Sequence, residues 1–185
     1  MNKKILIGIA VVVVLVLVYS FSTYNSLVTL GVDADAQWKQ VETNYQRRFD
    51  LIPNLVESVK GAMGQEKDVF TAIADARTKY SGATTANEKA VAAGQVESAL
   101  GRLLAVVENY PVLKSTDVVV TLMSQLEGTE NRINVERMRF NEAVKVYNLK
   151  VMRLPSSIIA AIFGFDEKAY FEAVKGAEVA PAVKF

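Results

Sequence analysis

No charged residue interrupts the chain from Ile5 to Phe21, a run of 17 residues that includes four consecutive valines at Val11 to Val14. As a helix this run is about 25 Å long at 1.5 Å per residue, which reaches across a hydrocarbon core once its neighbours are included. Valine is a poor helix former in water. In lipid, however, every backbone amide must bond within the segment, so a helix is the economical conformation. Tyr19, Phe21 and Tyr24 fall where interfacial aromatics collect. The run is apolar on all sides, which suits lipid better than the one-sided burial of a core helix. A cleaved signal peptide fits less well, because the apolar stretch exceeds the usual length and no small-x-small site precedes Tyr24. The expectation is a retained transmembrane helix over residues 5–23.

Lys3 and Lys4 precede the run, and no lysine or arginine follows until Lys39, after Asp33 and Asp35. The positive-inside rule then predicts residues 1–4 in the cytoplasm, a single pass through the membrane, and the remaining domain on the far side.

Past Tyr24 the pattern becomes periodic. Tyr24, Leu27, Gly31, Ala34, Trp38, Val41, Tyr45, Arg48, Ile52, Leu55, Val59 and Ala62 recur in steps of three and four. This is the spacing of a narrow coiled-coil seam. Pro53 should kink this helix or weaken one turn, and Gly61 and Gly64 should end it. A second helix is expected from about Gln65, with Val69, Ile73, Ala76 and Tyr80 on one face. Ser81 to Thr85 reads as a turn, with Thr85 as N-cap and Glu88 completing a capping box. A third helix follows, with Ala93, Val96, Leu100, Leu103, Val107 and Tyr110 on its seam, stopped by Pro111. The fourth starts near Ser115 or Thr116 and ends after Leu154 at Pro155. Its stripe is Val119, Leu122, Leu126, Thr129, Ile133, Glu136, Phe140, Ala143 and Tyr147. Short connections favour antiparallel neighbours. The predicted fold is all-α: an N-terminal transmembrane helix followed by an antiparallel up-and-down four-helix bundle over residues 24–154. The anchor helix should run into the first bundle helix with at most a bend near Gly31.

Residues 155–185 form an apolar membrane-proximal segment and a tail. Ile158, Ile159, Ile162, Phe163 and Phe165 are the candidate membrane or assembly contacts, although the run is too short to span a bilayer. They could lie in the headgroup layer, cover the base of the bundle or meet a neighbouring subunit. The stretch from Asp166 to Phe185 is expected to hold one short helix and a loose end.

Arg48 is the charged residue in the first seam, and a buried charge needs a partner. If the first and fourth helices are antiparallel with matched ends, Arg48 falls level with Glu127 to Glu130. The expected ion-pair network is Arg47, Arg48, Asp50, Glu127 and Glu130, setting helix register or holding a ligand. The residue types restrict chemistry further. The 185 residues include neither histidine nor cysteine, the commonest general base and thiol nucleophile, so no enzyme is expected. Di-iron bundles need Glu-x-x-His pairs, so no metal or other cofactor is expected either. Twenty-one basic residues offset twenty acidic ones, which gives no electrostatic case for nucleic acid.

Four stretches resemble the LemA family of bacterial membrane proteins. They are Tyr24-Asn25-Ser26-Leu27-Val28; Arg47-Arg48-Phe49-Asp50-Leu51-Ile52-Pro53-Asn54-Leu55-Val56 with Lys60-Gly61; Glu108-Asn109-Tyr110-Pro111-Val112-Leu113-Lys114; and a long fourth set. That set runs from Glu127-Gly128-Thr129-Glu130-Asn131-Arg132-Ile133 through Arg139-Phe140-Asn141-Glu142-Ala143-Val144, Tyr147-Asn148 and Leu154-Pro155-Ser156 to Phe163-Gly164-Phe165. Phe140 departs from the pattern, since the family often has tyrosine there. The resemblance implies a single-pass membrane protein with an up-and-down four-helix domain and brings no agreed activity. Relatives are linked to membrane organisation, including a magnetosome-membrane protein. The functional expectation is a non-enzymatic, self-associating scaffold or partner-recruiting module in membrane organisation. The alternative is an envelope sensing module that takes a ligand or protein between its helices near Arg48. Expected partners are the lipid bilayer, further copies of the chain and other membrane or envelope proteins.

Overall fold

The computed structural model describes residues 2–61 and 67–171. Among them the regular structure is entirely helical, in the order α1 (Lys3–Lys60), α2 (Lys67–Gly82), α3 (Ala86–Glu108), α4 (Pro111–Lys114), α5 (Asp117–Met152) and α6 (Ser156–Phe163). The chain separates into two compact units. One holds residues 1–37 and 138–170, and the other holds residues 38–137 and 171–185. The long helices α1 and α5 contribute residues to both.

α1 is a single 58-residue helix without a break at Gly31, and Pro53 lies within it. No residue of its most apolar window is covered by the rest of the chain. Burial begins at Thr23, which the sequence places at the end of the membrane span but which is only 2% exposed. From Leu27 to Val59 the predicted seam is buried, apart from Gly31, which is half-buried. Tyr24 remains partly exposed. Seam residue Ala62, Gly64 and the expected helix start at Gln65 lie outside the described residues.

In the first unit, Leu27, Tyr147 and Ala160 form a buried cluster, with Leu30, Val151 and Phe165 packed against it. Gly31 faces the ring of Tyr147 but is not required there, since an added β-carbon would meet the ring at an ordinary contact distance. A β-carbon at that position would sit 3.5 Å from Tyr147 Cε2. α6 ends at Gly164, whose φ of 71° lies in the left-handed region that favours glycine. The Phe165 amide then donates to the Ala160 carbonyl at 2.9 Å. The chain past α6 is pinned to α5. Asn148, 1% exposed, donates to the Lys168 carbonyl at 2.8 Å and accepts from the Lys168 amide at 2.9 Å. The Tyr147 hydroxyl donates to the Asp166 carbonyl at 3.0 Å. Residues 166–171 carry no regular secondary structure, where part of a short helix was expected. The rest of that expectation concerns residues outside those described.

In the second unit, α2 and α3 pack against each other, and Ile73, Ala76 and Tyr80 face inward from α2. Thr85 caps α3 with the expected box. Its hydroxyl accepts from the Glu88 amide, and the Glu88 carboxylate accepts from the amides of Thr84 and Thr85. These amide donors hold the Glu88 carboxyl down to about 2. α3 is long and apolar enough to cross a membrane by composition, yet Ala93, Val96, Leu100, Leu103 and Val107 are buried within the unit. Two boundaries differ from the sequence reading. Pro111 does not simply stop α3; it opens α4, because proline lacks only an amide that the first helical turn leaves unused. α5 ends at Met152, two residues before Leu154.

Candidate functional site

The charged site lies in the second unit. Helical geometry brings Tyr45 and Arg48 of α1, three residues apart, to one face. Arg48 is 7% exposed, and its Nη1 pairs with Glu130 of α5 and, at 3.5 Å, with Glu97 of α3. Glu97 also takes a 2.5 Å contact from Arg137 Nη2. The Arg137 Nε donates to the Tyr45 hydroxyl at 3.0 Å. The guanidinium of Arg137 also lies over the Phe171 ring, 4.5 Å from its centroid. Two arginines and two carboxylates thus neutralise one another, as partly enclosed charges must. Burial pushes the Tyr45 hydroxyl up to about 12, against the pull of Arg137. An aromatic cluster sits beside this network, with Tyr45 to Tyr80 at 5.6 Å and Phe49 to Tyr80 at 4.5 Å between ring centroids.

The structure brings together Arg48 and Glu130 of the five residues expected in the network. Arg47 and Asp50 are exposed because each α-helical residue turns about 100°, which takes both away from the Arg48 face. Asp50 instead accepts from Gln46 Nε2 at 2.8 Å. Glu127 is also exposed but lines the same cavity as Arg48. Glu97 was missed, although it is the sole acid between Glu88 and Glu108 and neighbours the seam residue Val96. Tyr45 also carried a signal, since a buried tyrosine hydroxyl calls for a hydrogen-bond partner.

The cavity beside Arg48 has a volume of about 690 Å³. Leu100, Leu104, Val120, Met123 and Leu126 supply apolar wall, while Glu127 and Lys114 carry charge. Arg48 Nε is buried and has no hydrogen-bond partner among the described residues. Among the described residues, no group of three or more carboxylates forms a metal-binding cluster.

The second candidate site is the apolar surface of the first unit. α6 is an uncharged helix with two faces. Ser156, Ile159 and Ala160 turn inward, and Phe165 is half-buried. Ile158, Ile162 and Phe163 are 55%, 67% and 55% exposed. The sequence reading treated all five apolar side chains as one contact surface, but helical geometry divides them. Tyr24, three residues past the uncharged run, meets Phe163 edge-on at 5.0 Å and Phe165 at 5.6 Å.

Comparison with known proteins gives a match to the family model of the LemA family over residues 37–185. Magnetosome protein MamQ 2 and magnetosome protein MamQ 1 of Paramagnetospirillum magneticum are each 30% identical to the chain, over 80% of its length and 64% of theirs. Magnetosome protein MamQ of Magnetospirillum gryphiswaldense is also 30% identical, with the same coverage. The chain therefore spans 64% of the length of these curated relatives.

Proposed function

We propose that this chain, which belongs to the LemA family, is a single-pass bacterial inner-membrane protein that organises membrane through a two-part apolar base. One part is the uncharged start of α1, with Lys3 and Lys4 on the cytoplasmic side. The other is the outward face of α6, seated in the headgroup layer. The observation that carries this reading is the contact of Tyr24 with Phe163 and Phe165. It ties α6 to the first turn beyond the span, while Ile158, Ile162 and the uncovered part of Phe163 remain exposed. An apolar face at that depth gains free energy from the acyl boundary.

Outside the membrane, the second unit is read as an antiparallel up-and-down four-helix bundle. The contact order supports this: Tyr45 meets Arg137, and Arg48, further along α1, meets Glu130, earlier on α5. The bundle serves as a non-enzymatic scaffold that self-associates and recruits other membrane proteins. Parallel anchoring supports self-association by raising local concentration. The absence of histidine and cysteine supports the non-enzymatic role.

The cysteine-free chain permits a direct test. A single cysteine replacing Ile162 is treated in native membranes with a bifunctional maleimide. Linked dimers, the largest product that one thiol per chain allows, are expected at low expression. Monomer alone at every expression level would remove the self-association claim. A membrane-impermeant thiol reagent applied outside the cell membrane should label Val112→Cys and spare Asn2→Cys. The opposite pattern would reverse the topology.

A further inference from the structure

The cavity beside Arg48 runs toward the place where the chain beyond α6 rejoins the second unit. Along α5 the residues Val120, Met123, Glu127, Glu130, Asn134 and Arg137 follow steps of three and four, so they share one face. The first four line the cavity. Asn134 continues the row, donating to Glu130 and accepting from Arg137, both at 3.4 Å. Arg137 ends it, and the Phe171 ring lies over that guanidinium and 6.2 Å from the Trp38 ring between centroids. The sequence after Phe171 therefore starts at the head of the row that forms one cavity wall.

Charge narrows what the cavity fits. Arg48 pairs with Glu130 and Glu97, Glu97 pairs also with Arg137, and Lys114 pairs with Glu108 at 3.7 Å. Both guanidiniums are thus matched by carboxylates, and Lys114 has its own. Glu127 is left over: it is exposed and has no ion pair among the described residues. A fitting occupant is apolar toward Leu104 and Met123 and carries one cation at the rim.

The sequence from Val179 to Phe185, Val-Ala-Pro-Ala-Val-Lys-Phe, has this pattern. Pro181 opposes a helix. In an extended chain successive side chains alternate, so Val179, Pro181, Val183 and Phe185 share one side and Lys184 takes the other. Reach is sufficient. Arg137 lies about 21 Å along α5 from Met123 at 1.5 Å per residue. The chain from Phe171 to Phe185 spans up to about 46 Å when extended. The cavity opens beside Ser124 and Glu127, both exposed, so backbone groups turned outward keep their water. Tethering at Phe171 raises the segment's effective concentration to about millimolar, an advantage that a second copy or a lipid chain lacks.

We propose that residues 179–185 bind the cavity of their own chain as an extended segment, with Val183 and Phe185 turned to the wall of Leu104 and Met123 and Lys184 beside Glu127. The segment is a tethered plug that covers apolar wall otherwise open to other occupants.

The test uses the full chain in lipid nanodiscs, one copy per disc. The chain has no cysteine, so paired cysteines report the contact. Val183→Cys is combined with Leu104→Cys or, as a control, with Val91→Cys. On α3 these two sites lie about 10 and 9 Å from Glu97, the residue that meets Arg137. Leu104 shares the Glu97 face, and Val91 is turned about 120° from it. A segment that only diffuses would favour Val91, which is 59% exposed, over the half-buried Leu104. Under mild oxidation the Leu104 pair is expected to close within the monomer at least about tenfold faster than the Val91 pair. Met123→Cys replaces Leu104→Cys should that variant not fold.

A second readout is maleimide labelling of Leu104→Cys alone. Lys184→Glu sets a like charge beside Glu127 and should speed labelling about two- to fivefold, the value of one exposed ion pair. Adding Glu127→Lys should restore the slow rate. Equal closure of the two cysteine pairs, or labelling unchanged by Lys184→Glu, would overturn the proposal. So would disulfides that form only between copies, in discs loaded with two, which would give the cavity to a second copy. Slow labelling relieved by removing lipid but by no change in residues 179–185 would give it to a lipid chain and overturn the proposal as well.

Discussion

The two units use opposite solutions to the same problem of helices with mixed surfaces. In the unit of residues 1–37 and 138–170, apolar side chains remain outside: the start of α1 is uncovered, and α6 exposes Ile158, Ile162 and Phe163. In the unit of residues 38–137 and 171–185, charges go inside: Arg48 is buried, and Arg137 and Glu97 are partly so. Exposed apolar surface is unfavourable in water and favourable in lipid. Buried charge is tolerable only where partners are fixed. The first unit is therefore read as shaped for a bilayer and the second for water. The difference teaches that one helix, α1, can carry an uncovered apolar surface at one end and a buried seam at the other by changing which residue class occupies its seam and its outer face.

The largest expected effect breaks the second unit. Glu130→Leu leaves the enclosed Arg48 with Glu97 at 3.5 Å as its remaining carboxylate. The loss should be about 3 kcal/mol in chemical denaturation, the lower end for breaking a buried pair. Adding Arg48→Met to Glu130→Leu should recover most of it, because the uncompensated charge is gone. Equal losses in the single and double variants would deny that the two residues are coupled.

A smaller effect on folding, but a specific one on location, is expected in the first unit. Ile162→Asn changes an outward side chain, so stability should move by less than about 0.5 kcal/mol. Partition of the protein's α6 surface into lipid, read by protection of α6 from aqueous hydroxyl-radical labelling, should fall. A large loss of stability would mean that Ile162 is covered by protein.

The smallest effect separates a charge from its hydrogen bonds. Glu88→Gln keeps an acceptor for the capping box and removes the carboxylate's negative charge. The folded-state carboxyl lies near 2, below its ordinary 4.5. Below 4.5 an unfolded chain binds the proton that the folded chain still refuses, so stability falls with falling pH. The wild type should lead the variant slightly above that window and lose its lead as pH drops through about 2. A lead that persisted unchanged through acid would contradict the capping role.

Much of this comparison was legible in the residues. The uncharged run reads directly as an exposed apolar helix, because hydropathy needs no partner to be recognised. The α1 seam was legible from Leu27 to Val59, because its period fixes which side turns inward. Arg48 could be assigned to the interior for the same reason. Its second partner Glu97 could not, since period alone does not say which helix supplies a carboxylate at a given level. Arg47 and Asp50 look like network members by adjacency, yet helical rotation faces them outward. Pro111 was half-read: the rule that proline stops a helix hid the rule that it starts one. The two faces of α6 were invisible in a uniformly apolar string, where periodicity has no polar residues to mark it. The Asn148 clamp on Lys168 depends on a backbone path that no side-chain pattern announces.

The central claim is that the outward face of α6 lies in the membrane beside the α1 span. Spin labels on single cysteines at Ile162, Leu17 and Val112 test it in reconstituted bilayers, by collision with oxygen and with a water-soluble nickel complex. All three native side chains are exposed in the isolated chain. The account predicts that Ile162 resembles Leu17, with oxygen favoured over nickel, and differs from Val112. An Ile162 label as accessible to nickel as the one at Val112 would contradict it.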